Sequence, residues 1–452
     1  MINTKNKNFS FMGILKFLIP SLIGIFIFMI PLPLNGSITV VVAFLSKSLQ
    51  SLLNNYLTAI MTTMIVISAV GSIYTKIFKP KFILNNNFLN NLFNISPIWF
   101  ISRIIGAILA ILTYFQIGTK VIYSADTGGT LLFDLLPTLF SVFLFAGLLL
   151  PLILDFGLLE FFGTLLSKIM RPLFKLPGRS SVDCIASWVG DGTVGILLTN
   201  KQYEQGYYTK KEASIIGTNF SVVSITFSLV VLAQVGLSDK FLPFYLTITI
   251  AGVVAAIIMP RIPPLYMKKD EYISDNMKKE ESPVPPGTST FKWSLLQAIN
   301  KANNSSDISS IIISGFKNVF DLWIGVTPII MAFGTIALII ANYTPLFQWL
   351  SIPFIPLLNI LNVPEATAAA PTLIVGFADM FLPSILAANI TSDMTRFIIA
   401  SVSVTQLVYM SEVGGLLLGS KIPIKLLDLI FIFILRTLIT LPIIVLAANL
   451  IF

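Results

Sequence analysis

Apolar residues in this chain come in long blocks separated by short polar and basic runs. Blocks of about 18 to 25 apolar residues can cross a bilayer as helices. Nine qualify: 17–34, 56–75, 98–116, 134–154, 213–234, 242–259, 318–342, 396–418 and 426–449. The pattern predicts an all-α polytopic membrane protein with about nine transmembrane helices. The first block follows Lys5, Lys7 and Lys16 in the manner of a signal peptide. Its apolar run continues to Pro33 without a small-residue cleavage pattern, so it reads as an uncleaved span. Segment 37–53, carrying Lys47 and Gln50, is too polar for a span and is expected as an outer interfacial helix.

Two polar breaks inside apolar sequence carry the chemistry. SWVGDGTVGILLTN, residues 187–200, places Asp191 between two glycines. Segment 180–200 lies between the basic flanks 171–179 and 201–211, which stay on one side of the membrane, so the segment must enter and leave on that side. Two limbs of about ten residues at 1.5 Å each reach roughly 15 Å, half of a hydrocarbon core of about 30 Å. This predicts a re-entrant hairpin with Gly190-Asp191-Gly192-Thr193 at its tip, where an aspartate marks a functional site. PEATAAAPTLIVGFADMFLPSILAAN, residues 364–389, predicts a second, with Gly376-Phe377-Ala378-Asp379 as its break.

The surroundings of the hairpins match as well. LSKIMRPLF (166–174) resembles LSIPFIPLL (350–358), and IIGTNFSVVS (215–224) lines up with IIASVSVTQLV (398–408). With alternating spans the two halves run in opposite directions, which makes them inverted repeats, an architecture that places solute and ion near the midplane. Residues 1–133 then hold three spans and the interfacial helix, 134–260 the first repeat, 261–317 a cytoplasmic linker and 318–452 the second repeat. The linker holds KKDEYISDNMKKEESPVPPGTSTFKW (268–293), read as a solvated spacer. Against transport stands the reading that such breaks only serve packing.

Composition narrows the class. The chain is 55% hydrophobic and 11% charged, against about 25% charged in soluble domains. The net charge of +8 comes from short runs between spans, not from one face, and does not indicate nucleic acid. With the amino terminus inside, all but Lys47, Lys120, Lys240 and Arg396 of the 29 lysines and arginines fall on the inner side, as the positive-inside rule requires. The expected location is the cytoplasmic membrane, with the carboxyl terminus outside. The single cysteine, Cys184, forms no internal disulfide and reads as a packing residue, and no histidine is present for a metal site or proton relay. No P-loop, HExxH or GxSxG occurs, so the chain is not expected to be an enzyme. Na⁺ or H⁺ coupling through carboxylates is expected, with no other cofactor or metal.

Asp191 can hold Na⁺, a proton or a solute amine, or it can cap the adjoining half-helix. Asp379 carries the same two readings. Asn219, Ser221 and Ser224 can line a solute path or serve as interhelical hydrogen-bond partners. Glu412, near the cytoplasmic end of the eighth span with Tyr409 one turn before it, can take an ion or pair with Lys421 or Arg436. Gly415 and Gly419 form GxxxG, read as a close helix contact.

PLFKLPGRSSVDCIASWVGDGTVGILLTNKQYEQGYYTKKEASIIGTNFSVVS, residues 172–224, resembles the nucleoside-recognition or Gate domain of YjiH-type membrane proteins, a likeness extending over about 135–450. More distantly the order of elements is similar to concentrative nucleoside transporters. That resemblance implies a trimer, ion coupling and an elevator-like motion. By position it points to Asp191, Thr193, Asp379 and Ser384 from the hairpins, and to Asn219, Ser221, Thr405 and Gln406 from the spans behind them. The polar Gln-Thr-Glu pattern of the nucleoside carriers' first hairpin tip is Gly-Asp-Gly-Thr here, so nucleoside specificity does not carry over. The expected partners are a small polar solute (nucleoside-, amino-acid- or small-peptide-like), the bilayer and further copies of the chain. A non-transporting Gate-type partner or channel-like subunit is the alternative.

Overall fold

The computed structural model describes residues 11–34, 37–190, 192–221, 223, 225–273, 284–285, 287–305, 308–388 and 390–452. Among them the chain is helical apart from one two-stranded ribbon. Helix α1 (Phe11–Met29) stops ahead of PLPL, because Pro31 and Pro33 have no N–H to continue it. Pro31–Leu34 (β1) pairs antiparallel with Ser37–Val40 (β2) instead. Segment 37–53 is therefore not a separate interfacial helix. It is β2 followed by the start of α2 (Val41–Phe78), a helix of 38 residues that runs on into the second span. No proline interrupts it, and at 1.5 Å per residue it is about 57 Å long.

Helix α3 (Pro97–Tyr114) completes the amino-terminal part. A π-helical turn, Thr130–Leu135, leads into α4 (Leu136–Leu149), followed by α5 (Leu158–Phe174). Next come α6 (Ser180–Ile185) and α7 (Gly192–Glu204), then α8 (Lys210–Asn219), α9 (Ile225–Gln234) and α10 (Phe241–Ile258). The 261–317 segment contains α11 (Thr290–Asn303), which buries Trp293, Ala298, Ile299 and Ala302 against α1 and α5. From there the chain runs on through its second half. Helix α12 (Ile308–Phe320) passes through a π-helical turn, Asp321–Val326, into α13 (Thr327–Tyr343). After it come α14 (Leu346–Ser351), α15 (Phe354–Ile360), α16 (Ala366–Val375), α17 (Leu382–Ala387), α18 (Asp393–Gln406), α19 (Val413–Gly419) and α20 (Leu426–Ile451).

Seven helical stretches are long and apolar enough to cross a membrane: Phe11–Phe28, Tyr56–Phe78, Pro97–Tyr114, Thr130–Leu154, Ser238–Arg261, Gly315–Tyr343 and Leu426–Ile451. The other two expected spans, 213–234 and 396–418, are interrupted in the middle, between α8 and α9 in the one and at 407–412 between α18 and α19 in the other.

The π-helical turns at Thr130–Leu135 and Asp321–Val326 have one cause. Each precedes a proline at the second position of the next helix, Pro137 or Pro328, which cannot donate to the carbonyl four residues back. In the second turn that carbonyl, Ile324, accepts the Ser68 hydroxyl of α2 at 2.6 Å. Helix α3 crosses α13 closely at the same level, where a β-carbon on Gly106 would come within 2.1 Å of the Pro328 carbonyl oxygen. Trp323 stacks on Phe140 of α4 with centroids 4.2 Å apart and donates to the Phe140 carbonyl, joining the two halves. The amino-terminal helices thus brace the first helix of each half, α2 against α4 and α3 against α13.

Candidate functional site

The interruption at 407–412 follows β-branched Val402, Val404 and Thr405, which favour a helix less than straight-chain residues do. Its freed backbone groups find partners in the loop between α16 and α17. Met410 N–H donates to the Phe377 carbonyl at 2.8 Å, and Ser411 N–H to the Ala378 carbonyl at 2.9 Å. Leu407 sits at φ 63°, a left-handed conformation that a leucine holds only when its surroundings impose it. Asp379 completes the junction, accepting the Phe381 N–H on Oδ1 and the Ser411 hydroxyl on Oδ2. It therefore holds the turn that leads into α17 and ties it to the interrupted helix.

Each interrupted helix ends on an amide side chain, Asn219 in α8 and Gln406 in α18, and both reach neighbouring residues of α20. Arg436, fully buried, donates Nη1 to Asn219 Oδ1 at 2.7 Å and Nε to the Thr405 carbonyl at 3.1 Å. Gln406 donates Nε2 to Thr437 Oγ1 at 2.9 Å and to the Leu373 carbonyl of α16 at 2.7 Å. Arg436 is thus not an inner-loop cation. It sits within α20, whose apolar neighbours on both sides hid it in a count of flanking charges. Nor is Lys421 bound to Glu412, since it forms an ion pair with Glu204 at 3.4 Å.

The two limbs of the first hairpin, α6 and α7, are held by Asp183, which the sequence reading missed. This buried carboxylate accepts from Gln202 Nε2 at 2.5 Å, Thr199 Oγ1 at 3.2 Å and Tyr208 Oη at 2.9 Å. Arg179 donates Nε to Gln202 Oε1 at 2.7 Å and lies over the Tyr207 ring. The signal was present in SSVDCIA, an aspartate in an apolar limb. The glycine-flanked Asp191 eight residues on outweighed it. Glu365 closes the base of the second hairpin, accepting the Thr391 hydroxyl and the Thr391 and Ser392 N–H groups. Those donors, the Thr391 hydroxyl first, hold its carboxyl below the usual carboxylate range. The clasp is present above that range and is lost as pH falls through the lowered value.

At the centre lies a cavity of about 310 Å³, at the small end of solute-binding sites. Gly192 of the first hairpin and Met380 of the second reach it, as do Ser221 and Val223 of one interruption and Tyr409 and Glu412 of the other. Glu412 is therefore not near the end of a continuous span but is the last residue of the break, at the N-cap of α19. Thr138 of α4 closes one wall, a residue whose apolar surroundings gave no sign of it.

Of the expected site residues, Ser221 and Glu412 line this cavity, while Asn219, Thr405 and Gln406 stand behind it in the α20 clamp. Thr193 is buried one residue past Gly192. Ser384 faces its own chain, donating to the Phe381 carbonyl at 2.7 Å. Asp191 and Ser224 lie outside the described residues. Cys184 is buried, Gly415 packs on Ile330 of α13, and Gly419 packs on Val326 of the π-helical turn before it.

Seven helices long and apolar enough to cross a membrane, two helix–turn–helix segments and two interrupted helices around a shared cavity mark a multi-pass, transporter-like membrane protein. Residues 136–238 match the Gate family, described as nucleoside recognition. The chain is 52% identical over 438 residues to an uncharacterized protein of Alkalihalophilus pseudofirmus strain OF4, covering 97% of this chain and 95% of that one. It belongs to the same family as that protein and carries a nucleoside-recognition Gate domain at 136–238. No solved structure matches the chain.

Proposed function

We propose that the chain is an ion-coupled secondary transporter of a small polar organic solute, working by alternating access between two inverted repeats. One observation carries this reading: both hairpins and both interrupted helices reach a single cavity of about 310 Å³. Irregular backbone at membrane depth survives where it lines such a cavity or is buried in protein. Glu412 faces the cavity as the coupling carboxylate, and Asp191, adjoining Gly192, supplies a second. Ser221 and Thr138 offer hydroxyls to the solute. Asp379, with both oxygens engaged, positions the second hairpin. A cytoplasmic-membrane trimer with its amino terminus inside follows from the resemblance and the charge pattern.

Uptake into liposomes, with and without a Na⁺ or pH gradient, tests the reading. Nucleosides, amino acids and short peptides form the substrate panel. Asp191→Asn keeps shape and removes charge, so it should weaken uptake about tenfold or more, roughly 1.4 kcal/mol in binding terms, and flatten the ion dependence. Normal uptake with unchanged ion dependence in both Asp191→Asn and Glu412→Gln would remove ion coupling from this cavity.

Topology is a separate expectation. In a Cys184→Ala background, Lys168→Cys on α5 and Asn359→Cys on α15 stand before the first and second hairpins. An impermeant thiol reagent should reach the former only from the cytoplasm and the latter only from outside. Labelling from one side would refute the inverted arrangement.

A further inference from the structure

A second cavity, of about 580 Å³, lies between the amino-terminal helices and the second half, and transport as proposed above makes no use of it. Apart from the exposed Lys425, its charged residues fall into two kinds. Lys421 and Glu204 pair at 3.4 Å and neutralise each other. Arg103 of α3 and Asp321 of the π-helical turn do not. Arg103 Nη2 and Asp321 Oδ1 stand 3.7 and 3.6 Å from the point where a β-carbon on Gly325 would lie, so the two groups border one gap. Among the described residues no ion pair or hydrogen bond joins them, and Asp321 has no partner of either kind.

Arg103 is fixed from behind. It is buried, and its Nη1 donates to the Ser72 hydroxyl at 3.1 Å and the Leu92 carbonyl at 2.7 Å, both neutral acceptors. Its Nε has no hydrogen-bond partner. A guanidinium and a carboxylate held apart inside a protein cost free energy unless each is matched. A ligand that carries a carboxylate and an ammonium on one carbon matches both at once. The carboxylate takes the guanidinium edge, and the ammonium takes Asp321. Trp99, one turn before Arg103, and Ile329 supply an apolar wall for the remainder of the ligand.

We propose that this cavity binds a free α-amino acid as its zwitterion, through Arg103 and Asp321. The site is separate from the central cavity, although α7 and α19 border both. It stands whether or not the chain transports a solute.

Thermal stabilisation of the purified full chain by each of the standard L-amino acids is the test, since a ligand bound to the native state raises stability by linkage. At least one should raise the unfolding temperature. Its methyl ester, which lacks the carboxylate charge, and its N-acetyl derivative, which lacks the ammonium, should not. Arg103→Gln and Asp321→Asn should abolish the shift. Gly325→Ala guards against variants that merely fail to fold. Its methyl would meet both charged groups at ordinary contact distance, so the chain should fold with the unliganded unfolding temperature unchanged while affinity falls about tenfold. Glu412→Gln, in the central cavity, should keep the shift. No stabilisation by any L-amino acid, equal stabilisation by the ester or the N-acetyl derivative, or full binding by Gly325→Ala and Asp321→Asn would overturn the proposal. Because binding alone is read, that failure would leave the transport reading in place.

Discussion

Asn219→Leu is expected to destabilise the protein by about 3 to 5 kcal/mol, more than Arg436→Met, although Arg436 is the larger side chain. Arg436 is fully buried in α20 and is held by Asn219 Oδ1 and the Thr405 carbonyl. Leucine at 219 leaves the cation in place and takes away its only side-chain acceptor among these two. Methionine at 436 removes the cation instead and fills much of its volume. It leaves two neutral acceptors unpaired, at about 1 to 3 kcal/mol each before relaxation. The double variant should then be more stable than Asn219→Leu alone, because the stranded charge has gone. Thermal unfolding of the four proteins in detergent measures this order. If Asn219→Leu unfolds with the wild type, or the two single effects simply add, Arg436 does not clamp the two interrupted helices. Uptake should fall in all three variants, since the clamp sets the positions of Ser221 on one side of the cavity and Tyr409 on the other.

Asp183→Ala is expected to cost about 3 to 6 kcal/mol, the second large effect. Three donors converge on this carboxylate from outside its own limb: Thr199 and Gln202 in α7, and Tyr208 just past it. A hydrogen bond to a charged group contributes about 1.5 to 3 kcal/mol, and three sharing one acceptor give less than their sum. Tyr208→Phe, which removes a single donor, should lie near the lower of those values. Limited proteolysis and unfolding temperature read the stability. Solute binding in the central cavity reads the position of Gly192, which the same limb carries. An Asp183→Ala protein with the unfolding temperature and solute affinity of the wild type would make the network incidental to the hairpin.

The polar breaks at 187–200 and 364–389 were legible because they depend on short sequence, whereas 213–234 and 396–418 read as continuous spans although their helices are interrupted. GDGT between apolar limbs, and serine and asparagine inside an expected span, each break a local rule for membrane helices, and breaking such rules marks functional sites. Asp183, Arg436 and Thr138 were not legible, for different reasons. Asp183 lay close to a more conspicuous aspartate. Arg436 was counted with the loop charges because hydropathy does not say whether a cation meets an acceptor inside the bundle. Thr138 is one hydroxyl in an apolar helix, and its local sequence does not say which neighbour it faces.

Span length and apolarity are local properties of the chain, since each helix must satisfy its own backbone across the hydrocarbon. The sequence alone therefore determined that this is a multi-pass helical protein and where its long apolar helices fall. Which polar groups meet is a property of pairs far apart in sequence. Asn219 and Arg436 are 217 positions apart, Gln406 and Thr437 are 31, and a single sequence does not encode in any local pattern that two such residues share a hydrogen bond. The tertiary structure decided that Ser221 and Glu412 share a cavity, that Asn219, Thr405 and Gln406 stand behind it, and that Arg103 and Asp321 border a second one. Packing, once formed, fixes which polar groups must satisfy one another, because at that depth there is no water to take their place.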